Sequence, residues 1–80
     1  MKYIVARDVN IDGHCISTYF CKNGNGKEMF VIGGDNIAYR FSSPMDAGKL
    51  IDKMVSEKGW LRKNMKIIEA SADATMEMPL

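Results

Sequence analysis

The chain has no surplus of either charge, a single histidine and no long apolar run. Its 80 residues carry 11 Lys and Arg against 10 Asp and Glu, a net charge of +1. No bulk field therefore draws it to nucleic acid or to an acidic membrane surface. No stretch approaches the roughly 18 apolar residues of a membrane span, and the first residues lack the apolar core of a signal peptide. The expectation is a cytoplasmic protein with no membrane partner, whose two cysteines stay reduced.

Metal, cofactor and catalytic chemistry are equally short of material. A tetrahedral zinc site takes about four ligands, and His14, Cys15 and Cys21 are all the histidine and cysteine there is. Cys15 and Cys21 fall on one face of a single strand-like run, about 20 Å apart at the rise of a strand, too far to share a disulfide or a metal. "NGNGK" at 23–27 lacks the four-residue spacing and the Lys-Ser/Thr that open a helix in a phosphate loop. Ser17, Thr18, Ser42 and Ser43 have no nucleophile context, and Asp8 and Asp12 read as solvated strand and turn acids. No metal, cofactor or catalytic residue is assigned, and the chain is expected not to be an enzyme. So small a core also leaves little room for a deep pocket, which takes roughly 300 Å³ or more.

What is present is an ordinary globular composition, 46% hydrophobic and 26% charged, which argues against wholesale disorder. "KYIVARDV" is rich in β-branched residues and reads as a strand, with Tyr3, Val5 and Val9 on one face and Ile4 and Ala6 on the other. Asp12-Gly13 suits a two-residue turn. "HCISTYFCK" then alternates, placing Ile16, Thr18 and Phe20 opposite Cys15, Ser17, Tyr19 and Cys21. Asn23-Gly24-Asn25-Gly26 is a hairpin loop, because these residues tolerate positive φ. "EMFVI" returns as a strand, "GGDN" turns, and "IAYRF" at 37–41 reads as a further short strand.

The helix is the best-marked element. In "SSPMDAGKLIDKMVSEKG" Ser43 is placed to cap, Pro44 to open the first turn and Gly59 to stop the helix in a left-handed conformation. Ala47, Leu50, Ile51, Met54 and Val55 recur at three- and four-residue spacing as one apolar stripe. Trp60 and Leu61 are expected to fold back on its last turn. "NMKIIEA" supplies a final strand. The fold class is α+β, a mostly antiparallel sheet of four or five strands with one helix on one face, in the order β-β-β(-β)-α-β. One domain spans 1–70, and 71–80 is expected to be a flexible acidic tail.

Two surfaces carry the functional expectation. One helix covers one sheet face, so some of Tyr3, Tyr19, Phe20, Phe30, Tyr39 and Phe41 must look outward or meet a partner. Tyr19, Tyr39 and Trp60 are the anchors expected for a protein partner, because binding hot spots favour large aromatics. An uncovered strand edge could also pair with a second copy of the chain. The alternative uses the basic segment "KGWLRKNMK", where Lys58, Trp60, Arg62, Lys63 and Lys66 interleave cations with an indole as phosphate-binding, base-stacking surfaces do.

"FSSPMDAGKLIDKMVSEKGW" resembles the closing helix of WGR domains, which also follows a sheet with a Phe-Ser/Thr entry. The resemblance covers about a quarter of the chain. The Trp-Gly-Arg triplet that names those domains is absent, so no residue role is carried over. The layout is also similar in style to short phage and mobile-element proteins, some of which inhibit host defence proteins. Together these readings predict a small non-enzymatic binding module acting through a protein–protein surface, of the inhibitor or accessory-factor kind.

Overall fold

The computed structural model describes residues 2–33 and 36–70. Four strands, β1 (Lys2–Ile11), β2 (His14–Lys22), β3 (Glu28–Ile32) and β4 (Met65–Ala70), surround one helix, α1 (Pro44–Lys58), in sequence order. The sheet is antiparallel throughout, ordered β3-β2-β1-β4. The expected α+β class and element order are what the structure shows. The acidic tail expected at 71–80 lies outside the described residues.

Turn chemistry sets the register. Asp12 and Gly13 both take positive φ, 52° and 81°, the turn whose twist matches a two-residue hairpin. The Asn10 side chain accepts from Gly13 N–H at 3.1 Å and stiffens the turn. Ala6 is thereby set opposite Tyr19 and Val9 opposite Ile16. At the second hairpin the Asn23 Oδ1 accepts from the backbone N–H of both Asn25 and Lys27 at 2.9 Å, which closes the glycine-bearing loop.

The helix begins and ends where its residues dictate. Ser43 is the N-cap, its hydroxyl accepting from Asp46 N–H at 3.2 Å, and Pro44 opens the first turn. Gly59 closes it at φ 69°, donating to the Val55 carbonyl. Ala47, Leu50, Ile51 and Met54 of α1 pack with Val5, Phe20 and Met65 of the sheet as the core. Tyr3, Phe30, Phe41, Val55 and Trp60 extend it. Trp60 does fold back, whereas Leu61 stays 56% exposed.

The run 37–41 departs from the expected strand. Pairing between β1 and β2 stops at Ala6 and Tyr19, and the chain at 39–41 fills the gap that opens beyond. Tyr3 and Phe41 exchange both backbone hydrogen bonds, and Tyr39 N–H donates to the Phe20 carbonyl. Two diverging strands leave space for a wedge with one ladder bridge, not for a full strand. The sheet therefore has four strands, and this segment serves as a wedge between β1 and β2.

Candidate functional site

The sheet's alternation sorts the expected binding residues onto two faces. Tyr3, Val5 and Arg7 of β1 share the helix-covered face with Thr18 and Phe20 of β2 and Phe30 of β3. Ile4 and Ala6 share the other face with Ser17, Tyr19, Cys21, Val31 and Ile68. Tyr19 is half-buried there beside its partners Ala6 and Val31. To one side of it lies a polar group, in which Ser17 Oγ donates to Asp8 at 3.0 Å and Lys66 lies 3.8 Å from the same carboxylate.

Tyr39 and Trp60 are not on Tyr19's face. Tyr39 stands edge-on to Phe41, with centroids 4.8 Å apart, and against Phe20 at 6.1 Å. Its ring is 40% exposed, with the Lys22 ammonium 5.6 Å above it. Trp60 packs edge-on against Phe30 at 5.3 Å. The three aromatics therefore do not form one patch.

The basic segment is dispersed as well. Arg62 pairs with Asp52 at 2.6 Å and Lys66 with Asp8. Lys58 lies 5.9 Å from the Trp60 ring, and Lys63 has no ion-pair partner among the described residues. Lys66 belongs to the outer face by register with Ala6, whereas Trp60 belongs to the helix side. Only Lys58 and Trp60 are thus brought together.

A residue that the sequence reading passed over occupies the most constrained position. Arg7 stands in the row Tyr3–Val5–Arg7, which points at the helix. Its guanidinium carbon lies 3.8 Å from the centre of the Trp60 ring, a stacked cation–π contact. Its Nε is buried and has no hydrogen-bond partner. The sequence signal was there to read: a cation within an otherwise apolar inward row.

Arg7 lines a cleft of about 460 Å³ between the C-terminal end of α1 and strands β2 and β3, together with Thr18, Phe30, Met54, Glu57 and Trp60. The core was expected to leave little room for such a pocket. Trp60, which follows the left-handed Gly59 and packs on Phe30, forms one wall of it. Thr18, 6% exposed, spends its hydroxyl on the Arg7 carbonyl at 2.8 Å and so fixes the strand beneath the cleft. Glu28 at the rim is held by Lys53 at 3.3 Å.

Cys15 is exposed near the hairpin tip and Cys21 is buried. Burial pushes the Cys21 thiol upward, away from thiolate chemistry. Among the described residues, no three His, Cys, Asp or Glu side chains are grouped to hold a metal ion. No helix among them is long and apolar enough to cross a membrane.

No family model, curated protein or solved structure matches the chain.

Proposed function

We propose that this chain is a small non-enzymatic binding module that acts through a protein–protein surface on the outer face of its sheet. One observation carries the reading: on the face opposite α1, Tyr19 and Val31 stay half-exposed over the buried Ile4, Ala6 and Cys21, with the Ser17–Asp8–Lys66 group to one side. Apolar surface beside polar groups is the usual make-up of a protein interface. The occupant would be an apolar surface of a protein partner, as for an inhibitor or accessory factor of the phage type. A cytoplasmic setting, where Cys15 and Cys21 stay thiols, belongs to the same proposal.

The nucleic-acid reading rests on one observation, the proximity of Lys58 to the Trp60 ring. The two readings part under nuclease and salt. The chain is immobilised and exposed to a lysate of its own organism, as wild type, Tyr19→Asp and Lys58→Ala/Lys63→Ala. Retention of one protein that survives nuclease and moderate salt, and is lost only with Tyr19→Asp, supports the outer-face interface. Retention abolished by nuclease, by rising salt and by the double lysine variant moves the function to phosphate backbones. A species bound equally by all three variants removes both surfaces from consideration.

A further inference from the structure

We infer that the cleft beside Arg7 and Trp60 is a binding site for a carboxylate carried on an apolar group. This site lies on the helix side of the sheet and does not depend on the outer face around Tyr19.

Arg7 carries a hydrogen-bond donor that meets no acceptor. A guanidinium offers five donors in a fixed fork and cannot shed its charge. Arg7 has no carboxylate within ion-pair range among the described residues, and its Nε has no hydrogen-bond partner. Its contact is the Trp60 ring, whose centre lies 3.8 Å from the guanidinium carbon and which offers no hydrogen-bond acceptor to its N–H donors. The guanidinium is thus packed against the indole before any ligand arrives, which lowers the ordering cost of binding.

The competing acids are accounted for. Glu28 is held by Lys53. Glu57 lines the cleft from α1 and makes no ion pair with Arg7. Lys58 and Thr18 also line the cleft, and the rest of its wall is apolar or aromatic, from Phe20, Met29, Phe30, Met54 and Trp60. A cleft of this size, with aromatic and apolar walls beside a cation packed on an indole, has room for a small ligand. A partly desolvated guanidinium selects a planar anion that accepts two parallel hydrogen bonds, and a carboxylate does so. The apolar walls select what the carboxylate is attached to. Two sources share this chemistry, a free organic acid and an acidic side chain flanked by apolar residues on a peptide.

The test exploits Trp60, the chain's one tryptophan, whose emission and indole N–H resonance report on the cleft alone. The full chain is titrated with 3-phenylpropionate and with its neutral amide. A second pair of probes is the capped peptides acetyl-Leu-Glu-Phe-amide and acetyl-Leu-Gln-Phe-amide. The expected result is saturable movement of the Trp60 signals with the acid, at least about tenfold weaker binding of the amide, and weakening by salt. Arg7→Gln removes the preference for acid over amide. Arg7→Lys keeps the charge but loses the fork, and weakens the acid by about threefold or more. Glu57→Gln, at an exposed helix position, tightens the acid by about threefold and leaves the amide unchanged, which keeps the test decisive if the Arg7 variants fold poorly. Binding of the glutamate peptide alongside the acid assigns the site to a protein ligand, and binding of the acid alone assigns it to a small molecule. Equal binding of acid and amide, or no Trp60 response to any of the four probes, overturns the inference.

Discussion

Arg7 holds two opposing contributions of similar size. Its cation–π contact with Trp60 is worth about 0.5–2 kcal/mol, depending on how far it is desolvated. Its buried, unpartnered Nε costs about 1–3 kcal/mol. Arg7→Met keeps a long, unbranched, apolar side chain against the indole and removes the unpaired donor. The expected change in unfolding free energy is therefore within about 1 kcal/mol of zero, with gain as plausible as loss, read from the urea midpoint at constant m-value. A loss above about 2 kcal/mol would make Arg7 a structural plug whose value lies in holding Trp60. The same residue shows where sequence reading stopped. The alternation of β1 was legible, with Tyr3, Val5 and Val9 on one face, but an arginine in that row reads as an interruption until the indole it meets is visible. That indole is 53 residues away in the chain, and no local pattern links the two.

At the scale of the element, α1 was legible almost whole because its boundaries rest on local chemistry. Ser43, Pro44 and Gly59 each act through their own backbone or that of a residue within one turn, which a linear reading can follow. The strands were legible through alternation. The wedge at 39–41 was not, because its form depends on β1 and β2 diverging, a property of the assembled sheet. Gly59 joins the local chemistry to the cleft: its φ of 69° turns the chain so that Trp60 returns to Phe30 and Arg7. A Cβ at this position meets no atom within 4 Å, so the cost of Gly59→Ala is backbone strain alone, about 1 kcal/mol. The expected outcome is a lower urea midpoint with native Trp60 emission unchanged. Gly59→Asn, which tolerates the left-handed region better, recovers part of the loss. A red-shifted native spectrum in Gly59→Ala would show instead that the cleft wall itself depends on the glycine.

For the whole molecule, one helix on one sheet face leaves two kinds of surface to be used, the outer face and the strand edges. The edges differ in protection. β4 carries Lys66 and Glu69 beside its exposed Ile67, charges of the kind that discourage pairing. β3 carries Met29, 39% exposed, and Ile32, 58% exposed, and among the described residues its outer edge has no neighbouring strand. With a net charge of only +1, little long-range repulsion opposes the approach of a second copy. Pairing of two β3 edges would continue both sheets antiparallel about a two-fold axis. The donors involved follow from the ladder. The Phe20 carbonyl is turned toward Tyr39, so its partner Phe30, and Ile32 two residues on, direct their N–H groups away from β2. Ile32→Pro removes one outward donor from the end of the strand and leaves the β2–β3 hydrogen bonds in place. Sedimentation equilibrium is then expected to show the wild-type mass rising above 9.0 kDa with concentration, while Ile32→Pro stays at the monomer mass. If both remain monomeric throughout, the β3 edge is not used between copies. If both associate alike, the contact lies elsewhere, and Tyr19→Asp in the same experiment reports whether the outer face makes it.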